Sequence, residues 1–179
     1  MKNKIIFLFV LTSLIFSSCL RSQEYSTDDW TKIEYFYENG SLPPPYHYEY
    51  VITIMKDLKG TVKFLLGYDD GKSPVLNYEF TFTNEQLEAL NKSIKKSKVL
   101  TDQRNSFRYE ELTDGGSSMS LKITVVTDKT EVLEFNRYVE GKYKDGFEKL
   151  LASINNLVPE NVWNEFKQKK EEQENNKEK

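Results

Sequence analysis

The chain has 179 residues, with 25 Lys and Arg against 28 Asp and Glu, for a formal charge of −3. Hydrophobic residues make up 38%, and there is one Cys and one His. That length predicts one domain whose core needs no metal or cross-link. The single Cys excludes an internal disulfide, and the single His excludes His-rich metal sites. The overall polarity excludes a multi-span membrane protein.

Residues 1–18 read as a secretory signal. Lys2 and Lys4 give a positive start, Ile5 to Phe16 is an apolar run broken only by Thr12 and Ser13, and Ser17 and Ser18 supply small residues for cleavage. The run covers 12 residues, whereas a spanning helix needs about 20. Cys19 follows at once. The stretch Ile15-Phe16-Ser17-Ser18-Cys19 resembles a bacterial lipoprotein lipobox, with Phe16 where Leu is usual. The resemblance implies cleavage before Cys19, diacylation of its thiol and acylation of the new amino terminus, with fatty acids such as palmitate. Each buried CH₂ contributes about 0.8 kcal/mol, so two or three chains anchor stably where one holds marginally. The implied location is the bacterial cell envelope, lipid-anchored to the outer membrane on its periplasmic or surface face. Removal of Lys2 and Lys4 moves the charge from −3 to −5. No basic patch stands out, which argues against nucleic acid as the main partner and against electrostatic docking to acidic membranes.

Residues 19–29 read as anchor and tether, polar and aperiodic after Cys19. Residues 167–179 hold five Lys, four Glu, two Gln and two Asn. That composition predicts a frayed helix end and a charged, disordered tail. A single domain is expected over 30–166. Four strands open it: Lys32–Glu38, Tyr46–Lys56, Thr61–Tyr68 and Val75–Phe82 all alternate apolar and polar residues. Asp57-Leu58-Lys59-Gly60 and Asp69-Asp70-Gly71-Lys72 supply turns with Gly after an Asp-containing tip. Thr83 and Gln86 form a capping box ahead of a helix carrying Leu87, Leu90 and Ile94. A loop with some extended character covers Asn105 to Asp114. Strands through Met119–Val125 and Val132–Tyr138 then flank an Asp128-Lys129 turn. A second helix starts near Asp145 and carries Phe147, Leu150, Leu151, Ile154 and Leu157, and Pro159 opens a third with Val162, Trp163 and Phe166. The order predicts an α+β fold: an antiparallel sheet of about six strands with two to three helices packed on one face.

Chemistry is sparse. There is no Cys/His cluster and no His-Glu-x-x-His helix. An EF-hand spreads its ligands along a longer loop ending in Glu, so Asp69-Asp70-Gly71 is a hairpin turn. Any Ser-His-Asp triad must use His47, and no Gly-x-Ser-x-Gly elbow is present. Cys19, once acylated, is no nucleophile. Glu110 and Glu111 are adjacent and diverge into solvent. Gly115-Gly116-Ser117-Ser118 lacks the Lys and helix of a phosphate loop. No cofactor or metal is expected. Seven aromatics lie between Trp30 and Tyr50, most of them assigned to the core face by alternation. Phe36 is on the opposite face, where it meets a second layer or marks a sticky patch.

Three segments, Gly40-Ser41-Leu42-Pro43-Pro44-Pro45-Tyr46-His47-Tyr48, Asp114-Gly115-Gly116-Ser117-Ser118 and Leu157-Val158-Pro159-Glu160-Asn161-Val162-Trp163, resemble an uncharacterised family of small bacterial domains over residues 32–166. The order of strands and helices is also similar to emfourin, a proteinaceous metalloprotease inhibitor. The expected function is a non-enzymatic, lipid-anchored binding module whose partner is a protein or saccharide ligand, besides the membrane reached through Cys19. Its contact surface would combine Phe36, Pro44, Tyr46 and His47 with Gly115 and Gly116. The alternatives are an emfourin-like inhibitor and a hydrolase built on His47.

Overall fold

The computed structural model describes residues 24–177 except 45, 70, 112 and 113. The signal segment, Cys19 and the first part of the tether therefore lie outside the described residues, as do Glu178 and Lys179. Strands β1 (Trp30–Glu38), β2 (Tyr48–Met55), β3 (Lys59–Leu66) and β4 (Val75–Thr81) form a meander. Helix α1 (Asn84–Ser97) and the two-residue strand β5 (Arg108–Tyr109) follow. Then come β6 (Ser118–Val126), β7 (Thr130–Phe135), the short β8 (Val139–Glu140), and helices α2 (Lys144–Asn155) and α3 (Glu160–Lys177). The main sheet has the order β4-β3-β2-β1-β6-β7, with every neighbour antiparallel. This is the expected α+β architecture, with β1 near its centre.

Alternation decides which side is covered. Ile33 and Tyr35 of β1, Ile52 and Ile54 of β2, Phe64 of β3 and Leu121 and Ile123 of β6 turn one way and are buried. Helices α1, α2 and α3 meet that face. The Trp30 indole donates to Asn91 Oδ1 of α1 at 2.8 Å. The Tyr50 hydroxyl donates to Asn155 Oδ1 of α2 at 3.2 Å. Phe64 stacks on Phe166 of α3 with ring centroids 4.3 Å apart. Each such side chain contributes roughly 1.5–3 kcal/mol by leaving water. The other face is polar, with Lys32–Glu34 at 2.8 Å and Lys122–Glu134 at 3.3 Å. Phe36 lies there, half-buried, opposite Val51 on β2 and Ser120 on β6.

Helix α1 begins as its residues predict. Thr83 Oγ1 accepts from the Gln86 N–H at 3.3 Å, and Gln86 Oε1 accepts from the Thr83 N–H at 2.9 Å. Elsewhere local reading and structure part company. The positive φ of the β2–β3 turn is on Leu58, at 70°. Gly60 instead lies inside β3, where an added Cβ would come within 2.3 Å of the Phe80 ring. Its missing side chain makes room for a cross-strand aromatic. The last hairpin strand ends at Phe135, because the chain leaves the sheet so that Val139 and Glu140 can pair with Tyr109 and Arg108.

Both ends of the domain extend further than composition suggests. Tyr25, in the expected tether, is 7% exposed. Its N–H donates to the Leu100 carbonyl at 2.8 Å, its hydroxyl to Glu131, and the Arg104 guanidinium stands 5.5 Å over its ring. The expected tail is helical through Lys177. The Gln173 amide donates to the Leu66 carbonyl at 3.1 Å, and Lys170 lies 5.5 Å over the Tyr48 ring. Polar side chains can dock on a sheet end by hydrogen bonds, which a hydrophobic count does not register.

The tyrosine-rich core predicts an alkaline limit. Burial and the Glu131 bond push the Tyr25 phenol up to about 12 from 10.0. Burial, with neighbouring Tyr37, takes Tyr48 to about 12, and burial with the Glu165 carboxylate does the same for Tyr78. Tyr35 and Tyr50 are raised further, again chiefly by burial. A raised folded value means the folded state holds its proton more tightly. The stabilisation is therefore complete below the unfolded value and is lost as pH rises through the folded ones. Unfolding is expected as pH climbs from 10 to about 12, followed by circular dichroism together with phenolate absorbance. Free titration of all tyrosines before any loss of ellipticity would contradict it.

Candidate functional site

The link between β1 and β2 is tied down by side chains. The Asn39 backbone N–H donates to the Tyr48 carbonyl at 3.1 Å, and its Oδ1 accepts from the Tyr48 N–H at 2.8 Å. Its Nδ2 donates to the Tyr46 carbonyl, also at 2.8 Å. The Tyr46 N–H closes a turn on the Pro43 carbonyl at 2.9 Å. His47 sits beneath this loop and is only 2% exposed. Its Nδ1 lies 2.8 Å from the Gly40 carbonyl, an acceptor, which assigns the proton to Nδ1. Its ring is stacked under Tyr68 at 3.9 Å with planes 5° apart. The Tyr68 hydroxyl in turn donates to the Leu42 carbonyl at 2.7 Å. The His47 carbonyl accepts from the Gly67 N–H at 2.8 Å. His47 is thus a strut joining the β1–β2 and β3–β4 loops.

Gly40 brings the next segment in. Its φ is +94°, and a Cβ there would lie 2.5 Å from the Gly115 carbonyl oxygen and 2.8 Å from that of Gly116. Only glycine permits both the backbone angle and the approach. The Gly115–Gly116 turn therefore rests on the β1–β2 loop. Beside this contact opens a cleft of about 470 Å³, whose walls include Glu38, Glu110, Glu111, Asp114, Arg137 and Tyr138. Two of its carboxylates are anchored. Glu38 Oε2 accepts from the Ser118 hydroxyl at 3.0 Å, and Glu110 pairs with Lys144 at 3.3 Å. Hydrogen bonding to Glu110 raises the Lys144 pKa. Burial and the nearby Tyr37 raise Tyr138, partly opposed by a hydrogen bond from Ser117. Two other depressions, along the α2–α3 turn and over β3–β4, include none of the six expected contact residues.

Of those residues, the fold brings His47, Gly115 and Gly116 together through Gly40. Pro44 is exposed on the same loop, and Tyr46 is 41% exposed. Phe36 does not join them, being on the open sheet face. His47 is not among the residues that line the cleft. Glu38, Asp114 and Arg137 were not distinguishable as site residues in the sequence. Glu110 and Glu111 carried the one available signal, as an adjacent acidic pair. Among the described residues no group of three or more His, Cys, Asp and Glu side chains is placed to hold a metal ion. Among the same residues no helix is long and apolar enough to cross a membrane. No protein family matches the chain, and no curated protein matches it.

Proposed function

We propose that the protein is a lipid-anchored module of the bacterial cell envelope that binds its ligand without catalysis, through the cleft beside the Gly40–Gly115 contact. The observation that carries this reading is the cleft wall itself: four carboxylates, one of them paired with Lys144, line it with a single guanidinium, over a turn of bare glycine backbone. Such a wall favours a peptide segment with Lys or Arg side chains on a partner protein, since carboxylates accept charge-assisted hydrogen bonds. Burial of His47 under Tyr68 supports a structural role for the imidazole over a hydrolytic one.

Calorimetry against basic peptides, acidic peptides and neutral oligosaccharides tests this. Basic peptides are expected to bind, and Glu111→Gln with Asp114→Asn to weaken them roughly fivefold, since exposed charge pairs are worth up to about 1 kcal/mol each. Binding should also fall with salt. Preference for a neutral saccharide, unmoved by either change, would replace the basic-peptide reading. For the anchor, Cys19→Ser is expected to abolish fatty-acid labelling and release the protein from membranes. Retained label on the variant would end that part. An emfourin-like inhibitor is the second reading, favoured by Leu42 and Tyr46, both exposed on one turned loop. It predicts stoichiometric slowing of metalloproteases, with loss of inhibition in Tyr46→Ala.

A further inference from the structure

We infer that the domain stands on the bilayer by the end of the sheet that contains Tyr25, presenting the cleft away from the lipid. This rests on the lipid anchor proposed at Cys19. Chain length limits how far the domain can stand from the anchor. Six peptide units separate Cys19 from Tyr25, and an extended chain advances at most about 3.6 Å per residue, so Tyr25 lies within roughly 20 Å of the lipid boundary. From Tyr25 onward the chain is fixed. Besides the Leu100, Glu131 and Arg104 contacts, the Ser26 N–H donates to Asp29 Oδ2 at 2.6 Å, and the Asp29 carbonyl accepts from the Val126 N–H at 2.8 Å. Lys56 donates to the Thr27 and Asp28 carbonyls.

These bonds gather the β2–β3 turn and the β6–β7 turn around the point where the chain comes in. β1 then runs nine residues to Glu38, an advance of about 27 Å at 3.4 Å per residue. The Gly40 loop and the cleft begin where it ends. The two poles differ in surface chemistry. Near Tyr25 the cations are matched locally, Lys59 with Asp57 at 3.0 Å, Lys56 with Asp28 at 3.9 Å and Lys129 with Glu131. Met55 and Val126 are exposed on the same rim. The far pole carries the acidic cleft, which an anionic bilayer repels. A short tether, a partly apolar near rim whose lysines are paired, and a far rim that carries the acidic cleft all favour one orientation.

Full-length lipidated protein, reconstituted in vesicles of phosphatidylcholine and phosphatidylglycerol, tests this. Acylation occupies the one native thiol, so Lys129→Cys or Lys72→Cys provides a single labelling site at either pole. Energy transfer from the label to a headgroup-bound acceptor is the readout. Transfer from position 129 is expected to exceed that from position 72 severalfold. Equal or reversed transfer in vesicles that carry the protein on flotation overturns the orientation while leaving the anchor intact. Failure of the unlabelled protein to float with vesicles overturns the anchor, and the orientation with it.

Discussion

Phe64→Ala is expected to destabilise the fold by about 4 kcal/mol, the middle of the range for truncating a buried aromatic. Phe64 is fully buried and is a hub. Its ring stacks on Phe166, meets Trp163 at 5.4 Å and touches Tyr50 and Tyr78 at 5.9 and 6.1 Å. Removing it leaves a cavity between β3 and α3 that neither Trp163 nor Phe166 can fill without moving the helix. Urea unfolding measures the loss, and Trp163 fluorescence should report early release of α3. A cost near 1 kcal/mol would mean that α3 is not held through this cluster.

Gly40→Ala is expected to cost about 3 kcal/mol and to weaken ligand binding with it. Two terms add. An L-residue at φ +94° carries roughly 1–2 kcal/mol of strain, and overpacking against a backbone carbonyl carries about 1–3 more. Gly71 separates them, because its φ is +72° but nothing lies within 4 Å of a Cβ there. Gly71→Ala should cost only the strain, about 1 kcal/mol, and leave binding unchanged. Equal effects at the two positions would show that the Gly40–Gly115 approach is not tight. Urea midpoints and peptide calorimetry on both variants decide it.

The elements that sequence reveals are those whose periodicity repeats. The meander strands alternate long enough to be read, and Thr83 with Gln86 announces α1. β5 and β8 are two residues each, too short for any period, and exist because Arg108–Tyr109 and Val139–Glu140 find each other across the fold. Leu58 takes the left-handed turn position because the strand needs Gly60 for Phe80, a demand from a residue twenty positions on. Tyr25 and Gln173 look like linker and tail because their partners, Leu100 and Leu66, are remote in sequence. The site was legible in the same uneven way. Gly115, Gly116 and His47 stand out as unusual residues. Glu38 and Arg137 look like ordinary solvent-facing charges, and only the sheet topology turns them toward one cleft.

The central position of β1 has a mechanical consequence. Antiparallel neighbours pair with it on both flanks, β2 from Lys32 to Glu38 and β6 from Trp30 to Glu38. A pull between Tyr25 and a partner bound at the cleft runs along this strand. The load falls on both ladders in shear, so their hydrogen bonds must fail together and cannot open in sequence like a zip. Force spectroscopy between those two ends should therefore meet far higher resistance than a pull that peels off α3 from Lys177.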